Sequence, residues 1–183
     1  MSKTQEQFLE EIKMMTPTVW PEGEKYAEAQ DAETIGKWLI ENREHQKELK
    51  DAKIKYMYQE KLGKRGVNVV LGRARVQNEL QRKVQPEVEF IMLISYECWQ
   101  DLDPIHKLIL VDHELCHMAK TYTDKGLKIS SVPHDFEEFT VILNQYGDKA
   151  VLDFHNLSRL LLEQKKDDSE TTVEEGLDIL KEN

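Results

Sequence analysis

Two histidines and a glutamate near the middle of the chain have the types and spacing of a metal-dependent hydrolytic site. His113 and His117 are four residues apart, and Glu114 directly follows the first of them, in the sequence HELCH. On a helix, residues four apart lie about one turn apart on the same face, so both imidazoles can reach one cation. A glutamate beside them can deprotonate water, and zinc lowers the pKa of a bound water to about 7. The motif therefore predicts a Zn²⁺ site with Glu114 as the catalytic base.

The residues around this HExxH motif predict the helix that the site needs. Asp103 is a good N-cap acceptor, and Pro104 suits the first helical position. Apolar residues then recur at helical spacing as far as about residue 122. Cys116 lies inside the motif, but its thiol would diverge from the face of the two histidines, so we expect it to be a core residue and not a ligand. The alternative interpretation of the motif is a structural histidine pair that arose by chance.

A catalytic zinc site also needs a third protein ligand and an open fourth position. The sequence PHDFEEF, residues 133–139, offers two candidates, His134 and Glu138, which are again four residues apart. We expect Pro133 to open a second helix that ends near Gly147. Either His134 or Glu138 can complete the site, and the one that does not would act from the second shell. Tyr122 and Tyr146 are further candidates, for stabilising an oxyanion.

These two blocks, HELCH and HDFEEF, resemble those of known zinc metallopeptidases. The pattern is similar to SprT/Spartan-type enzymes, in which the HExxH helix is followed by a histidine in a short HGxEF sequence. It resembles still more the phage and prophage metallopeptidases that carry HELCH and HDxEEF. The resemblance extends over about residues 65–147, and the second block is the more selective of the two.

The resemblance implies specific roles for the site residues. His113, His117 and His134 would be the metal ligands, and Glu114 the catalytic base. This chain has Asp135 where the Spartan pattern has glycine, and it has the additional Glu138. It also has no obvious separate DNA-binding module, so cleavage of DNA–protein crosslinks is not implied. We take His134 as the predicted third ligand, with Glu138 in the second shell or as the alternative ligand.

The rest of the chain predicts an α+β fold for positioning these residues. Amphipathic helices are expected between residues 26 and 58, and strands at 67–76 and 88–95, with a further possible strand at 54–60. The second strand is apolar on both faces, which indicates a buried strand. We expect a minimal zincin-like domain, in which a small antiparallel or mixed sheet packs on the HExxH helix and N- and C-terminal helices flank it. Residues 88–95 are also the predicted strand for holding an extended peptide substrate by β-addition.

The same patterns suggest three parts of the chain. Residues 1–25 are expected to be an N-terminal arm with a possible short helix. Residues 26–164 are expected to form one domain, with its core at 65–147 and a last helix from about residue 149. The tail, 165–183, is acidic and has only a weak apolar stripe.

Composition restricts the partners. The chain has 183 residues, with 25 basic and 35 acidic side chains and a net charge of -10, which is unlike a dedicated duplex-DNA binder. A basic strip between Lys61 and Arg82 leaves local contact with nucleic acid as the less favoured alternative.

No long apolar segment or secretory signal is evident, and the two cysteines are too few for a disulfide framework. We therefore expect a cytoplasmic protein, in the host cytoplasm if phage-encoded, with reduced cysteines and no membrane association. The oligomeric state is left open.

Together these observations predict a zinc metallopeptidase that acts on a protein or peptide substrate. Two alternatives are a non-catalytic module that retains zinc for structure or sensing, and a phage or prophage effector that binds a host protein. Turnover that depends on Glu114 distinguishes the enzyme from both.

Overall fold

A four-stranded mixed sheet forms the centre of the molecule. The structure is a computed structural model that describes residues 3–16, 18–65, 68–124, 126–134 and 139–156. The strands in these residues are β1 (Tyr26–Glu28), β2 (Ile54–Gln59), β3 (Lys64–Arg65), β4 (Asn68–Val69), β5 (Gly72–Val76), β6 (Phe90–Ser95), β7 (Met118–Thr123) and β8 (Gly126–Ser131). The central sheet has the order β1-β2-β6-β5, and β3-β4 and β7-β8 form two separate antiparallel pairs.

The described helices contribute most of the core. They are α1 (Gln5–Met14), α2 (Gln30–Asn42), a 3-10 helix (Glu44–Leu49), α3 (Glu79–Val84), α4 (Tyr96–Asp101), α5 (Pro104–Cys116) and α6 (Thr140–Tyr146), and residues 148–156 are also helical. Every residue from Leu108 to Leu115 on α5 is buried, which makes α5 the central helix. The predicted α+β architecture, with a small mixed sheet and flanking helices, is confirmed.

Strand β6 occupies an interior position in the sheet. It pairs with β2 in parallel and with β5 in antiparallel orientation, and its residues are nearly all buried. The prediction of a strand that is buried on both faces is therefore confirmed. The prediction that residues 88–95 could hold a peptide by β-addition is wrong, because both hydrogen-bonding edges of β6 are already used. The predicted strand at 54–60 is present as β2.

Three predicted elements have different boundaries in the structure. The strand expected at 67–76 is divided into β4 and β5, which belong to different sheets. The HExxH helix starts at Pro104, where Asp103 accepts a hydrogen bond from the His106 backbone, but it ends at Cys116 and not near residue 122. Residues 132–134 are not helical, and α6 begins at Thr140.

The N-terminal residues include a helix that is docked on the domain. In α1, Phe8 and Ile12 are buried, and the Phe8 ring stacks on Trp38 of α2 with ring centroids 4.4 Å apart. A capping box between Thr4 and Gln7 begins this helix. The predicted acidic tail, 165–183, and the end of the last predicted helix lie outside the described residues. Among the helices that are described, none has the length and apolar character required to cross a bilayer.

Candidate metal centre

Helix α5 brings His113 and Glu114 to the floor of a cleft. Its N-terminus is capped by Asp103 and Pro104, and its apolar residues pack into the core. His113 and Glu114 are both buried, whereas His117 is half-buried at the C-cap of the helix. Because α5 ends at Cys116, the chain turns at His117 into β7.

The β7-β8 hairpin returns the chain to the HExxH helix. In its register Met118 lies opposite Ser131, and the next pair of residues is His117 and Val132. The Val132 N–H donates to the His117 carbonyl at 2.9 Å, and His117 Nδ1 lies 2.7 Å from the Val132 carbonyl oxygen. This second contact requires the proton on Nδ1, so Nε2 of His117 is left with its lone pair. His134 follows two residues after Val132, which explains how it reaches the same point.

The three predicted histidine ligands converge in the structure. Each of His113, His117 and His134 contributes one ring nitrogen, and these three nitrogens lie within 4.8 Å of one another. The ring centroids are 4.5 to 5.1 Å apart, and Nε2 of His134 is 3.0 Å from Nε2 of His113. Three imidazoles at these distances form a compact set of nitrogen donors.

Phe139 packs against all three imidazole rings. Its ring is nearly edge-on to those of His113, His117 and His134, with centroid distances of 5.4, 4.8 and 5.0 Å. Phe139 is buried and stands directly before α6. It therefore restricts the orientation of the whole histidine cluster from one side. The sequence alone does not identify Phe139 as a residue of this site.

Glu114 lies against strand β5 at a glycine. A Cβ atom on Gly72 would be 2.6 Å from Glu114 Oε1 and 2.8 Å from its Cγ, which is closer than such atoms approach in proteins. The carboxyl group therefore occupies space that any other residue at position 72 would fill. Glu114 borders the same cleft as the three histidines. This contact could not be predicted from the sequence, because a glycine in a short strand gives no signal of a distant carboxylate.

The cleft above these residues has a volume of about 570 Å³. The described residues that line it are Lys64, Val70, Gly72, Arg73, Ala74, His113, Glu114, His117, Ser131, Val132, Pro133 and His134. One wall is thus formed by β5 and the other by the chain that follows β8. The open side of the cleft gives a substrate access to the histidines.

Strand β5 is the edge strand of the sheet along this cleft. The Ser95 N–H donates to the Leu71 carbonyl at 2.8 Å, and the Gln77 N–H donates to the Glu89 carbonyl at 2.9 Å. Hydrogen-bonded and non-hydrogen-bonded positions alternate in antiparallel pairs, so the backbone groups of Arg73 and Arg75 also form hydrogen bonds with β6. The backbone N–H and C=O groups of the intervening residues of β5 point away from β6, toward the open edge.

The histidine cluster fits a zinc ion by its donor chemistry. Neutral imidazole nitrogens bind Zn²⁺ at about 2.0 to 2.1 Å, so two of them on a tetrahedral ion are separated by roughly 3.4 Å. The 3.0 Å between Nε2 of His113 and Nε2 of His134 is close to that separation. Three such ligands leave a fourth position, as catalytic zinc sites require. Glu138, the other predicted candidate for third ligand, lies outside the described residues.

A second group of potential ligands lies between α5 and the 3-10 helix. His45, Asp112 and Cys116 each have a ligand atom within 4.8 Å of the others. Asp112 is fully buried and accepts hydrogen bonds from the side chains of His45, Gln46 and Tyr146, at 2.9, 2.8 and 2.7 Å. This network joins the 3-10 helix and α6 to α5. His45 is therefore a partly buried partner of Asp112.

The remaining candidates are separated from the cleft. Cys116 packs against the core and accepts a hydrogen bond from Gln46 at 3.3 Å, as expected for a residue outside the ligand face. Tyr146 donates to Asp112, and Tyr122 is 75% exposed on the hairpin. Neither tyrosine is among the described residues that line the cleft, so the structure does not support an oxyanion role for them.

An α+β domain with an HExxH helix, a third histidine and an edge strand beside the cleft has the organisation of a metal-dependent peptidase. The family model described as "Putative phage metallopeptidase" matches residues 24–163. The chain belongs to this family. Searches of curated proteins and of solved structures find no match to it.

Proposed function

We propose that the protein is a zinc-dependent peptidase that hydrolyses a peptide bond in the cleft along β5. His113, His117 and His134 hold the metal ion, and Glu114 is the catalytic base. Zinc, when bound there, supplies a Lewis acid that polarises the scissile carbonyl and lowers the pKa of water to about 7. The observation that carries the proposal is the convergence of three imidazole nitrogens within 4.8 Å beside Glu114.

Each of these side chains has a defined task in the reaction. The Val132 carbonyl accepts the Nδ1 proton of His117 and so presents Nε2 of that ring to the ion. Glu114 takes a proton from the attacking water and delivers it to the departing amine nitrogen. The contact between Glu114 and Gly72 limits the positions that the carboxylate can adopt. Phe139 holds the three rings from the side and shields them from water.

The edge of β5 supports an extended peptide as the substrate. The backbone groups of Gly72 and Ala74 point toward the open edge, and both residues line the cleft. A peptide that adds to this edge gains main-chain hydrogen bonds that do not depend on its sequence. Its scissile bond would then pass above Glu114 and the histidines. The role first predicted for residues 88–95 is thus proposed for β5.

Metal analysis and a matched catalytic variant test this proposal. We expect about one zinc per chain in zinc-supplemented protein, and loss of this zinc in the His113→Ala and His117→Ala variants. Glu114→Gln preserves the shape of the side chain and removes the base, so it should keep zinc but lose about a hundredfold or more in turnover of a peptide substrate. Substrate peptides can be found by identifying new cleavage sites in a host lysate.

Two results would reject the proposal. If His113→Ala and His117→Ala bind as much zinc as the wild type, the histidines are not ligands. If Glu114→Gln turns over peptide as fast as the wild type, Glu114 is not the base. Stoichiometric zinc without any Glu114-dependent cleavage would instead favour a non-catalytic zinc-binding module.

A further inference from the structure

The outer face of the edge strand β5 carries two arginines beside the cleft. Arg73 and Arg75 are exposed and lie two residues apart, so their side chains project from the same face of the strand. Position 72 faces Glu114 on α5, so Arg73 and Arg75 face the opposite way, toward solvent. Although its side chain points away from α5, Arg73 borders the cleft, as does Lys64.

Neither arginine is neutralised by a neighbour in the described structure. No ion pair within the described residues involves Arg73, Arg75 or Lys64. Glu114 is the only acidic side chain among the described lining residues of the cleft, which also include the three histidines. The chain as a whole has a net charge of -10, so this cationic face stands out from an acidic background.

We infer that β5 selects extended peptides with acidic side chains at alternate positions. This inference rests on the proposed peptidase function and names its substrate class. A residue of an added strand lies directly beside its neighbour in the sheet, with Cβ atoms about 4.5 to 5.5 Å apart. One acidic residue would therefore lie beside Arg73, and a second, two residues along the peptide, beside Arg75. The intervening residue would point toward α5 and the histidines.

The size of the effect follows from the exposure of these pairs. Opposite charges across neighbouring strands stabilise pairing modestly, and salt screens them over about 10 Å. Each pair is therefore worth about two- to fivefold in affinity, and two pairs about 4- to 25-fold. The main-chain hydrogen bonds of β-addition supply the remaining affinity, and the two arginines determine which peptides are preferred.

Binding to the zinc-loaded Glu114→Gln protein tests the inference without turnover. The probes are fluorescein-labelled peptides of equal length that carry two glutamates, two glutamines or two lysines at positions i and i+2. A fourth peptide has the composition of the first but carries its glutamates at i and i+3, on opposite faces of a strand. We expect the i, i+2 glutamate peptide to bind about 4- to 25-fold more tightly than the glutamine peptide. It should also bind more tightly than its i, i+3 isomer, and its advantage should fall in high salt.

Variants assign the effect to these cations. Arg73→Gln and Arg75→Gln should each reduce binding of the glutamate peptide about two- to fivefold and leave binding of the glutamine peptide unchanged. The double variant Arg73→Glu with Arg75→Glu should prefer the lysine peptide. Lys50→Gln is the matched control, because Lys50 is an exposed cation that lines a separate pocket with Glu33 and Tyr56. It should not change any of these affinities.

Several outcomes would overturn the inference. Equal affinity for the glutamate and glutamine peptides excludes charge selection. If Lys50→Gln weakens binding of the glutamate peptide as much as the arginine variants do, the effect comes from overall charge. Equal binding of the two glutamate isomers excludes the strand register. If an oligothymidine binds more tightly than the glutamate peptide, and Arg73→Gln reduces that binding, the face recognises nucleic acid instead.

Cleavage by zinc-loaded wild-type protein separates this inference from the proposed function. If the glutamine peptide is cleaved and the glutamate peptide is no better a substrate, only the charge selection fails. If none of the peptides is cleaved, and a lysate yields no cleavage sites either, the peptidase function fails and the inference fails with it.

Discussion

The backbone of Gly72 lies so close to the carboxyl group of Glu114 that no side chain fits between them. A Cβ atom at position 72 would lie 2.6 Å from Oε1, 2.8 Å from Cγ and 2.9 Å from Cδ of Glu114. Gly72 belongs to the edge strand and Glu114 to the central helix, so this contact joins one wall of the cleft to its floor. It sets the distance between the proposed base and the strand on which the peptide would lie.

This contact predicts that Gly72→Ala impairs catalysis more than zinc binding. The added methyl group must displace the Glu114 carboxylate, because the atoms nearest to it belong to Glu114 and not to any of the three histidines. A misplaced catalytic group of this kind can cost about a hundredfold in kcat. We expect a large loss in kcat with about one zinc per chain retained, and a still larger loss in Gly72→Val. Steady-state kinetics and elemental analysis of the same preparations measure both quantities.

The opposite pattern would contradict this account of Gly72. If Gly72→Ala lost zinc in parallel with activity, the strand would be supporting the metal site and not the base. If kcat were unchanged, Glu114 could move away from the strand without cost, and the close contact would have no catalytic meaning.

The third ligand can be identified by comparing two variants of the HDFEEF block. His134→Ala should lose zinc outright, because Nε2 of His134 lies 3.0 Å from Nε2 of His113 in the histidine cluster. Glu138→Gln should retain the ion and weaken its binding or the activity by roughly 10- to 100-fold, as changes outside the ligand shell do. Competition with a chelator of known zinc affinity measures the difference.

The reverse ranking would exchange the roles of the two residues. Stoichiometric zinc in His134→Ala and loss of zinc in Glu138→Gln would make the glutamate the third ligand. An experimental structure with a Glu138 oxygen at about 2.0 to 2.2 Å from the metal would give the same answer.

The histidines could be predicted from sequence because the signals involved are local. The two histidines of the HExxH motif share a face by helical periodicity alone, and the cap at Asp103 and Pro104 is read from adjacent residues. The interior strand β6 was also evident, since a strand that is apolar on both faces has no polar face to present to water.

The hairpin between the two motifs could not be predicted in the same way. The apolar stripe of α5 continues into Met118 and Ala119, and no glycine or proline marks the end of the helix at Cys116. Because Lys120 is a charged residue that is nevertheless buried on β7, the alternation of apolar and polar residues expected for a strand is not evident in the sequence. Its partner, Glu89, is distant in the sequence, and so are the partners of Gly72 and Asp112. Contacts of this type depend on the tertiary fold.

The Asp112 network predicts that Tyr146→Phe destabilises the fold. The Tyr146 hydroxyl donates to the buried Asp112 carboxylate at 2.7 Å, and burial together with this carboxylate raises the pKa of Tyr146 above its ordinary value. The hydroxyl therefore remains a donor at neutral pH. Loss of a hydrogen bond to a charged group costs about 1.5 to 3 kcal/mol. We expect the free energy of unfolding, measured in urea, to fall by that amount.

Tyr122→Phe is the matched control for this measurement. Tyr122 is 75% exposed on the hairpin, so removal of its hydroxyl should change stability by no more than about 0.5 kcal/mol. Equal stability of Tyr146→Phe and the wild type would mean that Asp112 is held by His45 and Gln46 alone.

A buried ion pair holds the β7-β8 hairpin against the central sheet. Lys120 Nζ donates to both carboxylate oxygens of Glu89, at 2.8 and 3.1 Å, and to the Asp51 carbonyl at 2.6 Å. The two side chains are only 6% and 10% exposed. Because the hairpin leads directly from His117 to His134, the pair also contributes to the position of the proposed third ligand.

This pair predicts that Lys120→Met is strongly destabilising and that a second change partly restores stability. Removing one partner leaves Glu89 buried without its counter-ion, which typically costs about 3 to 5 kcal/mol. Replacing both, in Lys120→Met with Glu89→Leu, removes the isolated charge and should recover much of that loss. Lys83→Met, which breaks the exposed pair of Lys83 with Glu79, serves as the control and should leave the urea midpoint unchanged.

If Lys120→Met unfolds at the same urea concentration as Lys83→Met, the hairpin is held by its other contacts. If the double variant is as stable as the wild type yet binds zinc more weakly, the pair acts mainly by positioning His134.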